Sequence, residues 1–225
     1  MQVASEALLD ENYLKQRAAL VDVNKAGTYP AGQPGSGGTV YLCAADAQGR
    51  MISYIQSNFK GFGSGVVVPG TGISLHNRGM AFSLQPGHPN VVAPSKRPLH
   101  SIIPAFMMRD DKPLMAFGVM GGNMQAQGHL QVTLRCVADG LNPQAASDAP
   151  RWRINDVGDL IMEQEWPASV IEALKDMGHE PKVQPKDSLD FGSAQLIARL
   201  PGHDGETVAY VGGSDTRRDG QVIGY

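Results

Sequence analysis

Between residues 5 and 23, SEALLDENYLKQRAALVDV places Leu8, Leu9, Tyr13, Leu14, Ala18, Ala19 and Leu20 roughly at helical intervals with charged residues between them, which predicts one amphipathic helix. The pattern then stops. Residues 24–38, NKAGTYPAGQPGSGG, offer no apolar face to bury and are punctuated by glycine and proline, so they read as an exposed, flexible linker. Strand texture begins abruptly at Thr39: TVYLCAAD, a turn at AQG and RMISYIQS predict a hairpin. Residues 60–95 are loops rich in glycine and proline, which either shape a surface or site or merely connect. SIIPAFMMRDD and KPLMAFGVM predict a second hairpin turning at Asp110, Asp111 and Lys112. A helix over 124–139 follows, with Leu130, Leu134 and Val137 at i, i+4 and i+7 and Gly140 as its left-handed stop. Asn142-Pro143 caps a short helix, and a third runs over 167–177 with Val170, Ile171, Leu174 and Met177 on one face. Strands near 182–184, 194–199 and 207–212 complete an order of strands, then helices, then strands, which points to a layered α+β fold rather than strict βαβ repetition.

Composition narrows the function classes. A chain of 225 residues with 42% apolar side chains can bury a core. Nineteen Lys and Arg against 22 Asp and Glu give a net charge of −3, which disfavours nucleic acid as a partner. No apolar window reaches the ~20 residues of a membrane helix, and MQVASEALLDENYLK lacks the basic-then-apolar pattern of an export signal, so a soluble chain without a signal is expected. Cys43 and Cys136 lie far apart inside apolar segments and read as buried free thiols rather than a disulfide or metal pair. The six histidines are scattered without metal-ligand spacing, so no metal and no cofactor is expected. The charges from Asp215 to Asp219 read as a solvated turn.

Thr39 is where chemistry could enter. A hydroxyl at the first position of a strand, after Gly37 and Gly38, suits a self-cleaving amidase precursor, although an ordinary strand start has the same local sequence. Attack of the Thr39 hydroxyl on the Gly38 carbonyl would turn the peptide into an ester, and hydrolysis would leave Thr39 with a free α-amine beside its own hydroxyl. That amine, with a reference pKa of about 7.7 to 8.0, could serve as the general base.

Several spaced segments resemble the γ-glutamyltranspeptidase family: LLDENYLKQRAALVD, TVYLCAADAQGRMISYIQS, FGSGVVVPGTGISLHNRGMAFS, APSKRPLHSIIP, GVMGGNMQAQGHLQ and DTRRDGQVIGY, in the family's order and over nearly the whole chain. The resemblance implies an N-terminal nucleophile hydrolase fold, an αββα sandwich that is incomplete in this chain. Residues 1–38 would be the end of the large subunit and 39–225 the small catalytic subunit. The partner implied is the upstream, large-subunit segment of the same precursor, and the substrate a small-molecule amide. Family members are often exported.

Carried over residue by residue, the resemblance makes Thr39 the nucleophile and Gly38-Thr39 the autocleavage site. Ser57 stands where the family has a threonine hydrogen-bonded to the nucleophile. Gly121 and Gly122 match paired glycines whose N–H groups face the developing oxyanion, and Ser101 matches the second of two serines that hold a substrate carboxylate. Three positions depart: His100 replaces the first serine, Ala81 an aspartate that binds the substrate's α-ammonium, and Phe59 an asparagine for which neighbouring Asn58 could substitute. The implied activity is that of an autoprocessed, zymogen-type amidohydrolase or acyltransferase, cleaving glutathione-like γ-glutamyl amides or related acyl amides. The alternative is a non-catalytic fragment or assembly subunit that needs the missing upstream half.

Overall fold

The computed structural model describes residues 11–20, 39–185, 188–200 and 209–225. The chain divides into two units, Met1–Gly37 and Gly38–Tyr225. In the first, helix α1 (Glu11–Ala18) carries an exposed i, i+4 ion pair from Lys15 to Glu11 at 3.3 Å. The rest of the helix expected over 5–23, the linker over 24–38 and Gly38 itself lie outside the described residues.

In the second unit, β1 (Thr39–Ala45) pairs antiparallel with β2 (Met51–Ser57), Thr39 opposite Ser57. Asp46 closes the turn, its Oδ1 accepting from the N–H groups of Gln48 and Arg50. Alternation sends Thr39, Tyr41 and Cys43 inward while Val40, Leu42, Ile52 and Tyr54 stand about half exposed on the outer face. A second, four-stranded antiparallel sheet has the order β3 (Ala105–Arg109), β4 (Lys112–Met120), β8 (Ser193–Leu200), β9 (Ala209–Ser214). Asp110 and Asp111, at φ 49° and 60°, make the left-handed pair that matches the twist of a tight hairpin, as the Asp-Asp turn predicts.

Successive residues of β4 face opposite layers. Phe117 and Val119 join Met115, Met124, Val132, Ala194 and Leu196 in the core beneath the helices. Gly118 and Met120 face the β1–β2 hairpin: a Cβ at Gly118 would lie 2.5 Å from the Tyr41 ring, and the Tyr41 N–H points to Met120 Sδ at 3.1 Å. Hairpin, sheet and helices therefore stack as three layers, a β-β-α part of the expected sandwich.

Helix α2 (Gln125–Val137) occupies the predicted place and Gly140 takes φ 67°, but its orientation reverses the simple amphipathic reading. Leu130, Leu134 and Val137 are 51%, 50% and 63% exposed, whereas Gln125, Gly128, His129, Gln131, Val132 and Arg135 face inward. Those polar side chains are accepted in the interior because each reaches backbone: the His129 ring nitrogens contact Gln125 O and Ile103 O, Gln131 exchanges hydrogen bonds with both backbone groups of Trp152, and Arg135 donates to Ala149 O and Pro150 O. Gly128 lets the helix approach Val119.

Asn142 caps α3 (Pro143–Asp148) as expected, its Oδ1 accepting from the Ala145 N–H at 2.9 Å. A third sheet, β5 (Trp152–Ile154), β6 (Leu160–Glu163) and β7 (Lys182–Gln184), contains two strands the periodicity did not announce, and α4 (Ala168–Asp176) connects β6 to the parallel β7. On the apolar stripe of α4, Val170, Ile171 and Leu174 are half-buried, while Met177 just beyond the helix is exposed. Both cysteines are free and half-buried. Among the described residues no helix is long and apolar enough to cross a membrane.

Candidate active site

Strand pairing brings the first residue of β1 against the last of β2, and their side chains share the inward face. Thr39 Oγ1 and Ser57 Oγ stand 2.9 Å apart. Ser57 Oγ also accepts from the Phe59 N–H at 2.9 Å and from Arg78 Nη2 at 3.1 Å. A hydroxyl has two lone pairs and one proton, so these two N–H donors fill the acceptors of Ser57 and leave its proton to be donated to Thr39 Oγ1. The Thr39 oxygen thus receives a hydrogen bond from a hydroxyl backed by a guanidinium, an arrangement that favours negative charge on that oxygen.

Arg78 is a residue sequence reading passed over. It is only 7% exposed and opens the short 3-10 turn Arg78–Ala81, with its guanidinium 4.7 Å from the centroid of the Phe59 ring. Phe59 sits at φ 75°, a left-handed conformation unusual for a bulky residue, which places its ring and N–H on the Arg78 and Ser57 side. Burial pulls the Arg78 guanidinium below its ordinary pKa. The loops over 60–100 are tied by two asparagines that the sequence also did not single out. Asn77 accepts from the Lys60 N–H and donates to Gly63 O, while Asn90 donates to Ala81 O at 2.6 Å and accepts from the Leu99 N–H.

A second cluster forms at the end of β4. Ser101 Oγ donates to Gly122 O at 2.7 Å. Gly121 and Gly122 take φ 149° and 64°; a Cβ on Gly121 would lie 2.8 Å from both Gly192 Cα and Met124 Sδ, so only glycine fits there. Thr39 with Ser57 and Ser101 with Gly122 are thus two directly bonded pairs, and the layers that carry them meet at Tyr41 and Met120. His100 is exposed, its Nδ1 accepting from the Ile102 N–H, and Asn58 is half-buried with its carbonyl accepting from the Asn77 N–H. No direct bond links either to Thr39 among the described contacts. Cys43, on the same face as Thr39, is pushed up to about 11 by burial, which leaves little thiolate near neutral pH and makes it a poor nucleophile.

The solvated turn expected at 215–219 is instead, in its first half, a buried ionic knot. Asp215 is 1% exposed and Arg217 8%. Asp215 Oδ2 accepts from Arg151 Nη2 at 2.6 Å and from the Ala194 N–H at 2.7 Å, its Oδ1 from Arg217, and Arg217 grips Glu163 with two bonds of 2.6 Å. Arg151, fully buried, donates through Nη1 to the carbonyls of Phe191 and Gly192. Arg151 and Asp215, 64 residues apart, and Glu163 and Arg217, 54 apart, neutralise one another only after folding, so local sequence shows them as solvated charges. The knot also bears on the glycine turn, because Gly192 lies against Gly121 and Met120. Gly192 sits at φ 71° with the Met120 carbonyl in the space a Cβ would need. Gly192→Ala is expected to cost about 2–4 kcal/mol, read as a fall in the urea midpoint.

A family model described as gamma-glutamyltranspeptidase matches residues 1–225. The chain belongs to this family. Among relatives, an oxamate amidohydrolase proenzyme from Klebsiella pneumoniae is 34% identical over 100% of this chain and 42% of its own length, so the chain spans about two fifths of that relative. Of solved structures, a cephalosporin acylase from Bacillus halodurans superposes with TM-score 0.76 at 46% identity, over 100% of this chain and 40% of that one. A γ-glutamyltranspeptidase from Helicobacter pylori gives TM-score 0.69 at 26% identity, over 79% of this chain and 99% of that one. The fold class is accordingly that of the N-terminal nucleophile hydrolases of this family, mixed α and β.

Proposed function

We propose that the chain is the catalytic part of an autoprocessed amidohydrolase or acyltransferase whose nucleophile is Thr39. The observation that carries this reading is the hydroxyl pair at the start of β1, with Ser57 obliged to donate to Thr39 Oγ1. In maturation Thr39 Oγ1 attacks the Gly38 carbonyl carbon, the C–N bond breaks as the ester forms and its nitrogen takes up a proton as the free Thr39 α-amine, and water then cleaves the ester to the Gly38 carboxylate and the regenerated Thr39 hydroxyl. Residues 1–38 then end the large subunit and 39–225 form the small one. In turnover Thr39 Oγ1 attacks a substrate amide while the α-amine takes its proton and passes it to the leaving amine. The Gly121 and Gly122 N–H groups serve the oxyanion, and the acyl-enzyme ester yields to water or an acceptor amine. Ser101, His100 and Asn58 line the acyl side.

The substrates are γ-glutamyl amides of the glutathione kind or related acyl amides; the oxamate amidohydrolase and cephalosporin acylase among the similar proteins support the broader class. The required partner is the upstream segment of the same precursor. A chain spanning 42% of a relative, with Val40, Leu42, Ile52 and Tyr54 half exposed on one sheet face, supports a second layer supplied by that segment.

The test is intact mass of the chain, alone and co-expressed with its upstream segment, followed by assay on γ-glutamyl and glutaryl anilides. A split before Thr39 and anilide release are expected with the upstream segment present; an uncut, inactive species under both conditions makes this chain a non-catalytic subunit instead. Ser57→Ala removes one donor to the reacting oxygen and is expected to lower kcat about 10²- to 10³-fold, and it also lowers the thermal midpoint because the Phe59 N–H and the buried Arg78 guanidinium lose their acceptor.

A further inference from the structure

Resting on the reading of Thr39 as nucleophile, we propose that Arg78 is a substrate-binding residue that reads a carboxylate on the acyl group, so that the preferred substrates are monoamides of short dicarboxylic acids without an α-ammonium. The guanidinium is buried, yet its contacts are a serine hydroxyl and an aromatic face, neither of which carries charge. Among the described residues no carboxylate is paired with it, in contrast to Arg151 and Arg217, which share Asp215, and to Arg217's further pair with Glu163. A buried cation without a counter-ion is costly, and an anion arriving beside it regains that energy.

Position makes the anion a substrate. The hydrogen bonds from Arg78 Nη2 to Ser57 Oγ and from Ser57 to Thr39 Oγ1, 3.1 and 2.9 Å, keep the guanidinium within about 6 Å of the attacking oxygen. With bonds of roughly 1.5 Å, an acyl chain whose carbonyl sits on Thr39 brings a carboxylate two to five carbons away into reach of Arg78. The surroundings select further. Ala81, three residues on in the same 3-10 turn, presents a methyl group, and Phe59 packs an apolar ring beside the guanidinium, so a substrate ammonium would meet a cation and no acid.

The test uses the precursor co-expressed with its upstream segment, as wild type, Arg78→Gln and Arg78→Lys. Hydrolysis is measured on p-nitroanilides of glutarate, pentanoate and L-γ-glutamate, and binding of free glutarate by calorimetry. The wild type is expected to prefer glutaryl over pentanoyl and γ-glutamyl anilide by tenfold or more in kcat/KM. Arg78→Gln is expected to cut the glutaryl to pentanoyl ratio at least tenfold, mainly through KM, and to weaken glutarate binding by a similar factor. Arg78→Lys, which keeps the charge, restores part of both. An unchanged ratio in Arg78→Gln, even with a common loss of rate, overturns the proposal and leaves Arg78 as a support for Ser57. So does a wild type that prefers the γ-glutamyl anilide. If no anilide is cleaved, the nucleophile reading fails by itself, and the glutarate titration still decides: binding lost in Arg78→Gln upholds carboxylate recognition, and absent or unaffected binding overturns it.

Discussion

Thr39→Ala is expected to leave the precursor as one uncut species and to lower amide hydrolysis by at least about 10⁴-fold. On the proposed mechanism a single oxygen attacks both Gly38 and substrate, so its removal makes maturation and turnover fail together. It does so at small structural cost, because Thr39 is half-buried at a strand end. Thr39→Ser keeps the hydroxyl within reach of Ser57 and is expected to cut and turn over, more slowly. Intact mass and anilide release read both effects. Cleavage before residue 39 in the alanine variant would mean that another group, or a contaminating protease, does the cutting.

Asp215→Asn is expected to be the most damaging single change away from Thr39, costing about 3–5 kcal/mol of a stability that for a domain totals about 5–15. The amide has nearly the carboxylate's shape, so packing survives, but the guanidiniums of Arg151 and Arg217 lose a shared counter-ion in a site none of them can leave. Arg151 also holds the Gly192 carbonyl, and Gly192 abuts Gly121, so slower maturation should accompany the loss of stability. The pH dependence has a definite sign. Burial pushes the Asp215 carboxyl up, but the guanidiniums of Arg151 and Arg217 and the N–H groups of Ala194 and Arg217 outweigh it and hold it below the ordinary carboxylate value. A depressed acid contributes stability that is fully present above the unfolded value of about 3.9 and is lost as pH falls through the folded one. The wild-type urea midpoint should therefore drop below about pH 4, and the asparagine variant should lack that share of the drop. Equal slopes in the two proteins would refute the assignment.

Much of the strand framework was legible in the chain because it is local. The hairpins over 39–57 and 105–120, the Asn142 cap and the Gly140 stop depend on alternation, turn residues and capping atoms a few positions apart, and each formed where its pattern lay. The pairing of Thr39 with Ser57 follows from the same register. The reversed face of α2 was not legible: Leu130, Leu134 and Val137 have the spacing of a core stripe, yet the interior side is the one whose polar groups find backbone partners far along the chain.

By itself the sequence determined where strands start and turn, and the order of motifs that places the chain in its family. Only the tertiary structure decided the charges. Arg78 against Ser57, Arg217 against Glu163 and Arg151 against Asp215 join residues 21, 54 and 64 positions apart, and their energies depend on burial and on partners delivered by other elements. Hydrophobic periodicity carries no information about such meetings, since a charged side chain reads as solvated until the fold supplies its counter-ion.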